Sequence, residues 1–217
     1  MINPKVLIAT PAIHTIDTQF YLSMMKLQAT GRVSQTMEVG SLVYMARNKM
    51  ALTAIQNGFD YIVWIDSDMV FPPDTVKRLM AHAQYDREFV SAVCFGRSLP
   101  TSPRIMKEVI WNRNEDGTIT HDAIPYDDYP KNSTFEIGGA GFGCCMTSVK
   151  MIREVAEAFG QPPFDPLPHL GEDYSFCWKA AKIGYKFWCD SRIKVGHVGE
   201  MIYDEGTWLA QQGAEKE

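Results

Sequence analysis

Short apolar runs that alternate with helical stretches are the feature that most limits how this chain can fold. Lys5 to Ala12 reads as a buried strand, and roughly Thr18 to Ala29 as a helix stopped by Gly31. Gln35 to Val39 is a short second strand. From about Tyr44 to Asn57 the apolar positions Val43, Ala46, Met50, Ala54 and Ile55 share one helical face, and Gly58 supplies a C-terminal cap. Tyr61 to Ile65 is a near-continuous apolar run, as a strand covered on both faces requires. Pro72-Pro73-Asp74 opens a helix reaching about His82, and Phe89 to Cys94 is another buried strand. This alternation predicts an α/β fold around a mostly parallel, doubly wound sheet with helices on both faces. Such sheets bind ligands beyond the carboxyl ends of their strands.

The second half changes character. Val109 to His121 reads as a hairpin turning at Asn114-Glu115-Asp116-Gly117, followed by a loop from Ala123 to Ser133. Phe135 to Thr147 reads as one strand interrupted by Gly138, Gly139, Gly141 and Gly143. Helices over Val149 to Phe159 and from Glu172 to about Gly184 flank a Pro-rich loop, Gln161 to His169. Tyr185 to Cys189 and Ile193 to Val195 are short strands. No repeat or linker divides the 217 residues, so a single domain is expected, with residues 200–217 as a flexible C-terminal segment.

Composition excludes some classes. No segment approaches the roughly 18 consecutive apolar residues of a membrane span, and the first residues lack a signal-peptide layout. Five cysteines, with no Cys-x-x-Cys pair, fit reduced and mostly buried thiols, which predicts a cytoplasmic protein. A net charge of -5 disfavours nucleic-acid binding by bulk electrostatics, although a local basic groove remains compatible with it.

The sharpest local signal is Asp66-Ser67-Asp68, directly after the apolar run. Side chains two apart on a strand point the same way, so these carboxylates are expected to converge. Converging anions need a cation between them, and hard oxygen ligands suit Mg²⁺ or Mn²⁺ with diphosphate oxygens completing the shell. Taken alone, Asp-x-Asp is as readily a solvated turn. Gly171-Glu172-Asp173-Tyr174 begins a helix, where the macrodipole favours a carboxylate that stays ionised, as a general base requires. His197 lies among small residues in Val195-Gly196-His197-Val198-Gly199. A lone histidine is more often structural than a ligand.

Order and spacing are more specific than any one piece. A β-α-β-α-β unit ending in Asp-x-Asp, a glycine-interrupted strand, a Gly-Glu-Asp helix start and a late histidine together resemble the GT-A glycosyltransferases. The resemblance covers about Lys5 to Gly199, and is strongest to the inverting family of bacterial and phage polysaccharide-type enzymes. Ala46-Arg47-Asn48, Asp66-Ser67-Asp68-Met69 and Pro72-Pro73 carry it best to the compact single-domain members.

The resemblance implies a transfer of sugar from a nucleoside-diphosphate sugar, by default a UDP-sugar, assisted by Mn²⁺ or Mg²⁺. Residues 1–96 would form the nucleotide-sugar half and 97–199 the acceptor and catalytic half. Thr10 and Pro11 would lie at the base-binding segment and Glu38 near the nucleoside. Arg47 would lie near the nucleotide, or equally be a surface arginine on an amphipathic helix. Asp66 would contact the ribose or a metal-bound water, with Ser67 beside it. Asp68 and His197 would bind the metal. Asp173 would be the catalytic base and Glu172 would position a substrate. The acceptor could be a glycan, a lipid-linked sugar, a small molecule, a protein or a hydroxylated DNA base, and Arg97, Arg104, Lys107 and Arg113 lie in the acceptor half.

Departures and rivals accompany the resemblance. Pro11-Ala12-Ile13-His14 lacks the family's tyrosine-containing opening, and no Gln-x-x-Arg-Trp occurs, which disfavours processive synthesis. A retaining transferase shares the fold, the Asp-x-Asp and the late histidine. A nucleotidyltransferase would need an early glycine-rich basic loop, which Thr10 to Ile16 is not. A non-catalytic binding module would need no base. Trp64, Trp111, Trp178, Trp188 and Trp208 read more readily as core than as sugar platforms, with Trp111 in the hairpin and Trp208 near the tail the best candidates for an exception.

Overall fold

The computed structural model describes residues 3–29, 31–168 and 170–214; the side chains of Trp111, Ile119 and His121 also lie outside the described set, as does His169 at the end of the expected loop. In chain order the elements are β1 (Lys5–Ala12), α1 (Thr18–Met25), β2 (Arg32–Val39), α2 (Val43–Gln56), β3 (Tyr61–Ile65), β4 (Met69–Val70), and α3 (Thr75–Met80), continued by a 3-10 turn (Ala81–Tyr85). β5 (Phe89–Val93), β6 (Ile105–Arg113), β7 (Ile119–Pro125), β8 (Thr134–Ile137), β9 (Gly139–Ala140), β10 (Cys144–Ser148) and α4 (Val149–Phe159) follow. The chain ends with α5 (Glu172–Lys182), β11 (Phe187–Lys194), β12 (Gly196–Val198), β13 (Ile202–Tyr203) and α6 (Glu205–Ala214).

Seven strands form the central sheet in the order β2-β1-β3-β10-β5-β11-β8. From the pairings, β1, β2, β3, β5 and β11 run one way, while β10 and β8 run the other. The sheet is thus mostly parallel. Two three-stranded sheets flank it, β13-β12-β4 and β7-β6-β9.

Both faces are apolar, as the sequence predicts for a doubly wound sheet. On one, Trp64, Phe89 and Cys145 pack with Ala46, Met50 and Ala54 of α2, Met151, Ile152 and Val155 of α4, and Phe176 of α5. On the other, Ile8, Val63, Ile65, Val90 and Met146 meet Phe20 of α1 and Val76 and Leu79 of α3. All five cysteines are free and buried. α4 has clear local ends: Ser148 accepts from the Met151 N–H at 2.9 Å, and Gly160 closes it at φ +61°.

The structure corrects three expectations. The stretch Phe135 to Thr147 is not one strand. Its pieces become β8 at the sheet edge, β9 beside β6 and β10 in the centre between β3 and β5. Glycine permits the breaks: a Cβ on Gly138 would stand 3.0 Å from the Glu108 and Val109 backbone. Next, β11 runs unbroken through Asp190 and Ser191, which had read as a gap. Both are buried because both are satisfied: Asp190 bonds His82 at 2.8 Å and Arg192 at 2.7 Å, and Ser191 donates to the Pro130 carbonyl at 2.7 Å. Finally, residues 202–214, within the segment expected to be flexible, form β13 and α6. Trp208 drives this packing. It is 7% exposed, stacks on Tyr129 at 5.8 Å and faces Phe95 at 6.3 Å, so it belongs to the core and is not a sugar platform.

Candidate active site

The Asp-Ser-Asp segment lies at the carboxyl end of β3, as the topology requires. It is a turn, however, and not a strand. The Asp66 N–H donates to the Gly143 carbonyl at 3.0 Å, and the Met69 N–H reaches back to the Asp66 carbonyl at 3.1 Å. Strand alternation therefore does not apply to the turn, and the two carboxylates take different partners. Asp66 accepts from Arg47 Nη2 at 2.9 Å. Asp68 Oδ2 accepts from Arg97 Nη1 at 2.8 Å and lies 3.2 Å from His197 Nε2. The Ser67 carbonyl accepts from the Asp17 N–H at 3.0 Å, which ties the turn to the loop after β1.

Arg47 is not a surface residue. Its side chain is 2% exposed, with the guanidinium 5.6 Å from the Trp64 ring and 5.3 Å from the Phe142 ring. Nη2 serves Asp66, Nε approaches Glu172 Oε1 at 3.5 Å, and Nη1 is buried with no hydrogen-bond partner among the described residues. Burial favours the neutral form, but the charges of Asp66 and Glu172 outweigh it and hold the guanidinium protonated. One side chain from α2 thus joins the β3 turn to the start of α5.

Asp173 stands next to that junction. Its Oδ1 accepts from the Tyr174 N–H at 2.7 Å. A Cβ on Gly141 would lie 3.5 Å from Asp173 Oδ2, so the glycine-rich segment passes close to the carboxylate. Burial, then the neighbouring charge of Glu172, pushes the Asp173 carboxyl up to about 6. A carboxyl in that range still ionises at neutral pH and is a stronger proton acceptor than an ordinary aspartate. Asp66 is also raised, by burial and by Asp68 and Glu172, against the opposing effect of Arg47.

Asp68 and His197 form the pair best suited to a cation. The His197 Nδ1 lies 2.9 Å from the Phe95 carbonyl, which can only accept, so Nδ1 carries hydrogen and Nε2 is the nitrogen that faces Asp68. The 3.2 Å separation is close to the roughly 3.0 Å expected for neighbouring ligands of an octahedral ion with bonds of about 2.1 Å. Among the described residues no group of three His, Cys, Asp or Glu side chains gathers as a metal cluster. Asp66, expected to contact the ribose, a metal-bound water or the metal itself, has one oxygen on Arg47. Burial raises Asp68, but His197 and Arg97 more than compensate and hold it below the usual carboxylate range.

The residues expected on the nucleotide side are placed less directly. Thr10 is 2% exposed and Pro11 is buried within β1. Glu38, across the sheet register from Pro11, bonds Lys49 Nζ at 2.7 Å. A cavity of about 640 Å³ opens beyond the strand ends, lined by the loop from Ile13 to Thr18 together with Ser67, Asp68, Arg97, Val198 and Gly199. Sequence reasoning missed Arg97 as the partner of Asp68. It also treated Arg97, Arg104, Lys107 and Arg113 as one basic set. Arg104 lies beside Gly96 and Gly141, whereas Lys107 sits 5.4 Å over the Tyr126 ring.

No curated protein matches the chain. The crystal structure of A197 from STIV shares the fold, with a TM-score of 0.57 at 14% identity over 90% of this chain and 86% of that one. Among the described residues no helix is long and apolar enough to cross a membrane. A family model described as glycosyl transferase family 2 matches residues 43–156, which takes in Arg47, both aspartates of the turn and Arg97 and stops short of Asp173 and His197. Since that match spans just over half of the chain, the protein belongs to glycosyl transferase family 2.

Proposed function

We propose that the protein is a metal-dependent, inverting glycosyltransferase that moves a sugar from a nucleoside-diphosphate sugar, UDP being the expected nucleotide, to an acceptor hydroxyl. The observation that carries this reading is the Arg47 junction. It draws the Asp66-Ser67-Asp68 turn and the Glu172-Asp173 helix start, over 100 residues apart, into one site.

Asp173 accepts the proton of the acceptor hydroxyl as that oxygen bonds to the anomeric carbon. The bond from the same carbon to the diphosphate breaks, its electron pair leaves with the nucleoside diphosphate, and a single in-line displacement inverts configuration. Glu172, held by Arg47, lies beside Asp173, and its charge helps raise the proton affinity of Asp173. Asp68 and His197 would hold Mn²⁺ or Mg²⁺, which supplies positive charge to the leaving diphosphate. Ser67 and the loop from Ile13 to Thr18 border the cavity in which the nucleotide would lie.

The test is nucleoside diphosphate release from a panel of UDP- and GDP-sugars, with and without Mn²⁺. Glycan, small-molecule and hydroxymethylated-DNA acceptors are each supplied in turn. Asp68→Ala should abolish release without unfolding the chain. Full activity of that variant in a chelator would falsify the metal assignment, and a retained anomeric configuration in the product would remove the inverting step.

A further inference from the structure

Asp68 Oδ2 faces two groups at once. Arg97 Nη1 lies 2.8 Å away and His197 Nε2 3.2 Å away. Arg97 sits just past Phe95, whose carbonyl orients His197. Its shaft lies along the backbone of Gly199, where an added Cβ would stand 3.6 Å from Arg97 Cβ and Cδ. The arginine side chain is 54% exposed and borders the same cavity as Ser67 and Asp68.

A divalent ion held by Asp68 and His197 would take the oxygen that Arg97 now occupies, and it would repel the guanidinium. The side chain is long, open to solvent and free to swing without uncovering a buried charge. The anion that accompanies such an ion into the cavity is a diphosphate. A guanidinium binds phosphate oxygens in a bidentate fork at least as well as it binds a carboxylate.

We propose that Arg97 is a diphosphate-binding residue that occupies Asp68 in the ion-free enzyme and passes to the donor's diphosphate when the ion takes that carboxylate. This rests on the metal and diphosphate reading of the site. It adds a coupling: ion and nucleoside diphosphate bind more tightly together than either does alone, because each relieves what the other must displace.

Calorimetric titration of the full chain tests this, using Mn²⁺ alone and then UDP or GDP at saturating Mn²⁺. Arg97→Ala should bind Mn²⁺ alone several-fold more tightly, since the competitor for Asp68 is gone. It should bind the nucleoside diphosphate about ten- to a hundredfold more weakly, the usual worth of a charged hydrogen bond. Arg97→Lys should recover part of that loss. Wild-type nucleotide affinity in Arg97→Ala overturns the proposal, as does an equal loss of Mn²⁺ and nucleotide. Failure of the underlying reading looks different. There, wild type binds neither probe, or Asp68→Asn keeps full Mn²⁺ affinity.

Discussion

Arg47 and Arg97 each pair with one aspartate of the same three-residue turn, at 2.9 and 2.8 Å, yet 2% of one side chain is exposed and 54% of the other. Similar distances carry different consequences. Arg47 lies under two aromatic rings with Asp66 on one nitrogen and Glu172 near another. If it left, the half-buried Asp66 and Glu172 would lose the charge that compensates them. Arg97 can leave Asp68 to water or to another cation at little cost. The first corner holds the geometry of the site, and the second can exchange partners.

The largest effect should come from the closed corner's chemistry. Asp173→Asn removes the proton acceptor at constant size, so transfer should fall about 10²–10⁴-fold while nucleotide affinity holds. The wild-type rate should rise with pH through about 6 and level off above it, because Asp173 must lose its proton and burial with Glu172 has moved that loss upward. Rate–pH profiles of wild type, Asp173→Asn and Glu172→Gln check both points. A dead Glu172→Gln beside an active Asp173→Asn would reverse the assignment.

Next in size is the buried pair itself. Arg47→Met strands Asp66 and Glu172, and because both carboxylates are partly exposed the cost should fall below the roughly 3–5 kcal/mol of breaking a fully buried ion pair. Denaturant unfolding should register this as a marked fall in midpoint. An unchanged midpoint would mean that the corner is not held together by charge.

A smaller effect has the opposite sign. The Asp173 carboxyl is raised in the folded chain, so its contribution to stability is full at low pH and is lost as pH rises through about 6. At pH 8 the ionised group therefore costs stability, about 1–2 kcal/mol once its partial exposure is allowed for. Asp173→Asn should raise the melting temperature at pH 8 and leave it nearly unchanged near pH 3.5. Melting curves at the two pH values decide it, and equal shifts at both would remove the electrostatic explanation.

The smallest effect belongs to the open corner. Arg97→Met should change unfolding free energy by less than about 1 kcal/mol, as exposed ion pairs do. A loss comparable with that of Arg47→Met would erase the distinction between the two arginines.

Much of this was legible in the residues. The strand-helix alternation, the position of Asp66-Ser67-Asp68 at a strand end, the start of α5 at Glu172 and the boundaries of α4 follow from local patterns. Less legible were β10, which a reading of continuous strands could not place in the centre of the sheet, and Asp190 with Ser191, whose polarity hid their burial. Trp208, near the end of the chain, stood out in the sequence as a candidate sugar platform, though Tyr129 and Phe95 cover it. In the site, Asp68 with His197 and Glu172 with Asp173 were expected together, while the separate arginine partners of Asp66 and Asp68 were not.

By itself the sequence determined the order of elements and the chemical groups available, because helix caps, turn glycines and apolar periodicity act between residues a few positions apart. The tertiary structure alone decided which groups meet and in what medium. Arg47 and Glu172 are 125 positions apart, and nothing local to Arg47 says that α5 will close over it. Whether an arginine becomes a buried brace or an exchangeable surface charge depends on how much water remains around it. Packing of distant elements sets that, because the strength of a charge pair and the penalty for breaking it both grow as solvent is excluded.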